Sequence, residues 1–107
     1  MAGNRVQIVR DPGRAVEGAN LLVTDVWASM GQESESAKRV KKLAPFQLNS
    51  ELISKAAPEA LYFHCLPAHR DEEISTELMD EVNHVIWEEA ENRLHAQKAL
   101  MEYLLKA

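Results

Sequence analysis

The chain has 107 residues, which is enough for one domain and too few for a two-domain enzyme. An apolar content of 46% excludes an intrinsically disordered protein, and a net charge of −5 argues against a nucleic-acid partner. With one cysteine, no apolar run long enough to span a membrane and no apolar signal region after Met1, we expect a cytoplasmic protein with no membrane partner.

The first predicted elements are a strand, a short helix and a second strand. Residues 5–10 alternate polar and β-branched apolar side chains, a pattern typical of a strand with one buried face. Asp11 can cap a short helix that has Pro12 at its first position and closes at Gly18. Residues 21–27 are almost continuously apolar, which indicates a strand covered on both faces in a parallel sheet.

Helices and a third strand follow. Apolar residues recur at helical spacing between Ala37 and Pro45, and Asn49 can cap a second short helix that ends before Pro58. Residues 61–66 are then predicted to form a buried strand.

The last part of the chain carries two more helices and a fourth strand. Residues 71–82 predict a short helix capped by Ser75 or Thr76. Residues 84–87 predict a strand, and residues 88–106 predict the longest helix, whose acidic first turns complement the helix dipole.

Alternation of apolar strands with helices predicts an α/β fold, in one domain over residues 1–107. We expect a partial doubly wound, Rossmann-like parallel sheet of about four strands with helices on both faces. Ligands bind such sheets where loops leave the carboxyl ends of the strands. Three polar loops, after residues 26, 66 and 87, should therefore open on one edge of the sheet.

Asp25 and the small residues after it are the first candidate site. A buried carboxylate at a strand end needs a partner, which is either a cationic ligand group or the backbone N–H groups of the following loop. Ser29, Met30 and Gly31 can place a hydroxyl, a thioether and a close backbone approach against a bound chain.

Cys65 and Arg93 are candidates in the other two loops. Cys65 lies beside His64 and four residues before His69, which suits nucleophilic catalysis or metal binding, although the spacing falls short of a structural zinc site and an inert buried thiol is the alternative. The guanidinium of Arg93 can donate hydrogen bonds to a phosphate or a carbonyl oxygen, or it can pair with Glu89 on the helix surface.

Three segments resemble consecutive signatures of the ornithine carbamoyltransferase family. They are DVWASMG at 25–31, HCLPAHR at 64–70 and EEAENRLHAQKA at 88–99, and their order and intervals also fit. Residues 11–19 resemble the segment that precedes the first signature. The resemblance covers essentially the whole chain and implies the carboxy-terminal part of an ornithine-binding domain.

The resemblance implies transfer of the carbamoyl group of carbamoyl phosphate to the δ-amine of L-ornithine, giving citrulline and phosphate. This is the chemistry of arginine biosynthesis or the urea cycle, and it implies neither a metal nor an organic cofactor. Asp25, Ser29 and Met30 are expected to bind the amino-acid end of ornithine, with Asp25 paired to its α-ammonium group.

The reacting centre is implied at the second and third signatures. Cys65, Leu66 and Arg93 are expected to bind carbamoyl phosphate, with the Leu66 backbone and Arg93 directed at the carbamoyl oxygen. Asp25, Cys65 and Arg93 are the expected catalytic residues. Cys65 is expected to bind ornithine and handle protons, not to act as a covalent nucleophile.

The sequence departs from the family pattern in two ways. Asp71 stands where many relatives have glycine, which bears on the shape of that loop. The S-T-R-T-R phosphate-binding loop and the H-P-x-Q motif do not occur here, so we expect no carbamoyl-phosphate domain and no activity of the chain alone.

The strands that precede these in the family are also not in this sequence. Residues 5–10 and 21–27 must therefore pair with each other or leave an apolar edge exposed. We expect self-association or pairing with the missing amino-terminal part. The alternative function is a non-catalytic interaction module that associates with itself or with a full-length homologue; a carbamoyltransferase for a related amine is disfavoured by the ornithine-type loop at 29–31.

Overall fold

The computed structural model describes residues 5–27, 33–81 and 85–106, without the side chains of residues 33–36. In chain order these ranges contain α1 (Pro12–Val16), β1 (Leu21–Thr24), α2 (Glu33–Leu43), a short 3-10 helix (Ala44–Phe46), α3 (Ser50–Ile53), β2 (Leu61–His64), α4 (Thr76–Asp80) and α5 (Ile86–Lys106). None of the described helices is long and apolar enough to cross a membrane.

The short helices begin at the side-chain caps that the sequence predicts. Asp11 accepts a hydrogen bond from the backbone of Arg14 at 2.8 Å, and Asn49 accepts one from Leu52 at 2.9 Å. Ser75, and not Thr76, caps α4. Each cap satisfies a backbone N–H that has no partner inside its own helix.

β1 and β2 form a parallel pair, which confirms the α/β arrangement. Their register runs from Leu21 opposite Leu61 to Thr24 opposite His64. Because the strands are parallel, the residues that follow them emerge at the same edge of the sheet. This edge carries the candidate site.

The predicted sheet of about four strands is wrong for the described residues, which contain two. The segment 5–10 is not a strand, and Val6 and Ile8 are 69% and 92% exposed. A strand requires the hydrogen-bonding groups of a neighbouring backbone, and in the described part of the chain none pairs with this segment. Alternating hydrophobicity within a segment does not supply such a neighbouring backbone.

The strand predicted at 84–87 is also wrong where the structure describes it. His84 lies outside the described residues, while Ile86 and Trp87 form the first turn of α5. The backbone N–H of Glu89 donates to the carbonyl of Val85 at 2.8 Å, and two glutamates in the first turn interact favourably with the helix dipole. These local interactions start the helix earlier than predicted.

The core covers one face of the strand pair. It consists of seven buried side chains: Leu22, Leu48, Tyr62, Ile74, Leu78, Met79 and Ile86. On the other face Leu21, Val23 and Leu61 are 47%, 65% and 47% exposed. α5 contacts β2, and Leu61 and Phe63 line a cavity together with Arg93 and Ala96 of α5, so a helix lies on this face too and covers it only in part.

Candidate functional site

Asp25 directly follows β1 and is held by two hydrogen bonds. Its Oδ1 accepts from the backbone N–H of Val26 at 2.7 Å and from the thiol of Cys65 at 3.2 Å. These bonds, above all the one from Cys65, lower the pKa of Asp25 below its ordinary value, so the carboxylate is ionised at neutral pH. The side chain is exposed, which corrects the expectation that it is buried, and it caps its own loop as one interpretation proposed.

Cys65 directly follows β2 and faces Asp25 across the strand pair. It is half-buried, so the inert core thiol is not what the structure contains. Its hydrogen bond to the Asp25 carboxylate raises the pKa of the Cys65 thiol, because loss of the proton would leave two negative charges in contact. An uncharged thiol is a weak nucleophile.

Arg93 reaches the same place from α5. Its Nη1 donates a hydrogen bond to the backbone carbonyl of Cys65 at 3.2 Å. No ion pair joins Arg93 to Glu89, both of which the structure describes, so the surface-pair interpretation is wrong. A guanidinium has five N–H donors in a planar fork, so this bond leaves others for a ligand.

The loop after Cys65 has an unusual backbone. Leu66 has φ of 52°, in the left-handed region that non-glycine residues rarely adopt, and a cis peptide bond joins it to Pro67. The Leu66 N–H donates to Nδ1 of His64 at 2.9 Å. That donor is therefore engaged within the loop.

A buried pair behind this loop was not predicted from the sequence. His64 Nε2 lies 2.9 Å from Oε1 of Glu73, and neither side chain is exposed. Because Nδ1 of His64 accepts from Leu66, Nε2 carries the ring proton and donates it to Glu73. The same Oε1 accepts from the His69 N–H at 2.6 Å. Glu73 is therefore hydrogen-bonded to both ends of the 64–69 loop.

Asp71 also has a left-handed backbone conformation. Its φ is 64°, a conformation that suits glycine and that aspartate tolerates better than most residues. The two carboxylate oxygens accept from the backbone N–H and the hydroxyl of Thr76, at 2.9 and 3.0 Å. These bonds lower the pKa of Asp71 and fix the turn that leads into α4.

The structure brings together Asp25, Cys65, Leu66 and Arg93 from three separate segments. Arg93 reaches the site from within α5 and not from the predicted loop after residue 87. Ser29 and Met30 lie outside the described residues. Of the described residues, only Glu73 and its partner His64 add a buried polar contact to this loop that sequence reasoning missed. The signal available was a histidine inside an apolar strand, since a buried polar group requires a partner.

Two parallel strands are followed directly by an acid and a thiol, and α5 adds a guanidinium, which is the arrangement of a ligand-binding α/β domain. The family model described as the Asp/Orn binding domain of aspartate/ornithine carbamoyltransferase matches residues 1–104, so the chain belongs to this family. This finding confirms the resemblance seen in the three signatures.

Individual relatives agree with the family assignment. The chain is 58% identical over 106 residues to the anabolic ornithine carbamoyltransferase of Pseudomonas aeruginosa, covering 99% of this chain and 35% of that protein. It is 60% identical over 105 residues to the ornithine carbamoyltransferase of Nitrosococcus oceani, covering 98% and 34%. The solved ornithine carbamoyltransferase of Pyrococcus furiosus superposes with a TM-score of 0.77 at 53% identity, covering 85% of this chain and 29% of that one. The chain thus spans about a third of the length of the curated relatives it matches.

Proposed function

We propose that this chain forms the ornithine-binding side of an ornithine carbamoyltransferase site, which transfers the carbamoyl group of carbamoyl phosphate to L-ornithine. The products are citrulline and phosphate, as in arginine biosynthesis. The observation that carries the proposal is the meeting of Asp25, Cys65 and Arg93 at one sheet edge, through hydrogen bonds of 3.2 Å from Cys65 to Asp25 and from Arg93 to Cys65. Membership of the family and the names of the relatives support it.

Asp25 is the proposed partner for the amino-acid end of ornithine. It is exposed and ionised, so it can pair with the α-ammonium group without a large desolvation cost. We propose Ser29 and Met30 as the residues that complete this subsite. We propose that Cys65, a thiol hydrogen-bonded to Asp25, contacts the δ-amine and passes a proton as that amine reacts.

Arg93 is the proposed donor to the carbamoyl oxygen. The δ-amine attacks the carbonyl carbon, negative charge develops on its oxygen, and the bond from carbon to the phosphate oxygen then breaks. The guanidinium is already oriented by its hydrogen bond to the Cys65 carbonyl, so little reorganisation energy is needed for it to stabilise that charge.

The role proposed for Leu66 differs from the expectation that its backbone is directed at the carbamoyl oxygen. Its N–H is engaged by His64, so the backbone group that remains is its carbonyl, which accepts hydrogen bonds. A carbonyl suits the amide NH₂ of the carbamoyl group and not the carbamoyl oxygen. We therefore propose that Leu66 orients the NH₂ while Arg93 polarises the C=O.

The phosphate end of carbamoyl phosphate needs a second polypeptide segment in this proposal. The S-T-R-T-R and H-P-x-Q motifs are not in this sequence, so the chain alone is expected to be inactive. We propose no metal or organic cofactor for the transfer, and a cytoplasmic setting in which the chain pairs with an amino-terminal segment.

A citrulline assay tests the proposal. The chain is incubated with ornithine and carbamoyl phosphate, alone and with a separately produced amino-terminal segment of the Pseudomonas aeruginosa relative. We expect no turnover alone and measurable turnover in the mixture, reduced about 10²-fold or more by Arg93→Lys. His95→Gln, on the exposed part of the same helix, serves as the control with unchanged turnover. Turnover of the chain alone at an ordinary enzymatic rate, or full activity with Arg93→Lys, contradicts the proposal.

A non-catalytic interaction module is the second candidate function. It is favoured by the exposed apolar side chains of α5, among them Leu94, Leu104 and Leu105 at 67%, 64% and 88% exposure. Surfaces of this kind invite association. Stable self-association combined with no activity in the reconstituted mixture would favour this function over the first.

A further inference from the structure

The turn between β2 and α4 places three side chains with metal-binding atoms close together. His69, Glu72 and Glu73 each offer one ring nitrogen or carboxylate oxygen, and these atoms all lie within 4.8 Å of one another. The residues stand at positions i, i+3 and i+4, and the Glu72 N–H donates to the His69 carbonyl at 3.1 Å. One turn of backbone therefore directs all three toward a common point. The cluster shares no residue with the pair Asp25 and Cys65.

Glu73 contributes a buried oxygen that no described residue satisfies. Its side chain is fully buried, and its Oε1 accepts from His64 and from the His69 backbone. Its Oε2 has no hydrogen-bond partner in the described part of the chain. Nδ1 of His69 lies 3.8 Å from that oxygen, too far for a hydrogen bond. A buried carboxylate oxygen without a partner is costly, so the site favours a cation at this point.

The backbone that holds Glu73 is fixed, whereas the other two side chains can move. The carbonyl of Glu73 accepts from the Leu48 N–H at 2.9 Å, and Gln47 Nε2 donates to the carbonyls of Asp71 and Glu72 at 3.0 Å each. The side chain of His69 is half exposed and that of Glu72 is partly exposed. A cation can therefore be anchored by Glu73 and enclosed by its two neighbours.

We propose that His69, Glu72 and Glu73 bind a divalent transition-metal cation of the zinc type, with Oε2 of Glu73 as the anchoring ligand. An imidazole with two carboxylates suits Zn²⁺, which is bound at about 2.0 to 2.2 Å by such ligands and commonly keeps a water in its fourth position. This donor set disfavours Mg²⁺, because Mg²⁺ prefers oxygen ligands in octahedral geometry and one of the three ligands is a nitrogen. Through Glu73, the bound ion stiffens the 64–69 loop that carries Cys65.

Calorimetric titration of ZnCl₂ into the full chain tests the site. The titration is carried out with Cys65→Ser as the parent, so that a thiol does not contribute. We expect one ion per chain, no binding of Mg²⁺, and a loss of affinity of about tenfold or more for both His69→Gln and Glu72→Gln. Each of these side chains is at least partly exposed, so the variants keep the fold. His95→Gln is the matched control, because His95 and Glu91 form another i, i+4 pair, 3.2 Å apart and exposed.

Three results overturn the proposal. They are no binding of Zn²⁺ by the parent up to about 1 mM, unchanged affinity in His69→Gln, and an equal loss in His95→Gln. Cobalt absorption supplies a second measurement: Co²⁺ added to the chain with Cys65 intact should give no sulfur-to-metal charge-transfer band at the first equivalent. Such a band, together with loss of binding in Cys65→Ser, places the ion on the thiol and also overturns the proposal.

Discussion

The hydrogen bond between Cys65 and Asp25 shifts the pKa of the two side chains in opposite directions. The pKa of Asp25 is lowered in the folded protein, so this contact stabilises the fold above the ordinary carboxyl pKa, and the stabilisation is lost as the pH falls through the folded value. The pKa of Cys65 is raised, so its contribution is present below the ordinary thiol pKa and is lost as the pH rises through the folded value. Between these limits the pair is one thiol and one carboxylate, the state that the proposed function requires.

Alkylation of Cys65 should therefore respond to the charge of Asp25. Asp25→Asn removes the carboxylate that disfavours the thiolate, so we expect the pH profile of the iodoacetamide reaction to shift to lower pH and the rate at neutral pH to rise several-fold. Asp80→Asn, which changes an exposed aspartate paired with Arg70, is the control and should leave the profile in place. An unchanged profile in Asp25→Asn contradicts this account of the raised thiol pKa.

Asp71 combines a costly backbone conformation with two side-chain hydrogen bonds to Thr76. Asp71→Ala keeps φ near 64° and loses both bonds, whereas Asp71→Gly loses the bonds and relieves the backbone. We expect thermal unfolding to rank the melting temperatures as aspartate highest, glycine intermediate and alanine lowest. Alanine equal to or above glycine would show that the left-handed backbone carries no cost here.

The starts of the three short α-helices α1, α3 and α4 are the elements that could be read from the sequence. A cap depends on a side chain and a backbone N–H two or three residues away, so Asp11, Asn49 and Ser75 identify their helices without knowledge of the rest of the fold. The strand predicted at 5–10 is wrong because a strand depends on a neighbouring strand elsewhere in the chain. The strand predicted at 84–87 is wrong over the described residues 85–87 because local interactions start α5 there. A histidine inside an apolar strand indicates that His64 needs a partner, but nothing local in the sequence shows that the turn returns Glu73 to β2.

Removing a cap tests the local part of this explanation. Asn49→Ala leaves the Leu52 N–H without its acceptor, and we expect the free energy of unfolding to fall by about 1 kcal/mol. Asn49→Asp keeps an acceptor at the same place, so its free energy of unfolding should fall by much less. Urea denaturation measures both, and equal losses in the two variants would show that the cap bond is not what stabilises α3.

The molecule as a whole leaves much of its apolar surface in contact with solvent. Leu100, Met101 and Leu104 on α5 are 58%, 60% and 64% exposed, and Val23 on β1 is 65% exposed. A small domain buries a limited share of its surface, so an uncovered helix face of this size favours association.

Sedimentation analysis can measure that association. We expect the chain to form concentration-dependent oligomers, and the double variant Leu100→Glu, Leu104→Glu to sediment as a monomer because two charges cannot be buried without partners. Lys98→Glu introduces the same charge on the same helix without removing apolar surface and should still associate. A parent chain that is monomeric at every concentration is incompatible with this expectation.

The parallel pairing of β1 and β2 also governs how the site comes into being during folding. Asp25 and Cys65 are 40 residues apart in sequence, and closing a loop of that length costs an entropy worth about 3 kcal/mol before any contact between its ends is gained. Capped helices such as α3 form from neighbours and need no such closure. The thiol and the carboxylate therefore meet only when the crossover between the strands is complete, so the chain acquires its ligand-binding edge in the same late, non-local step that completes its fold.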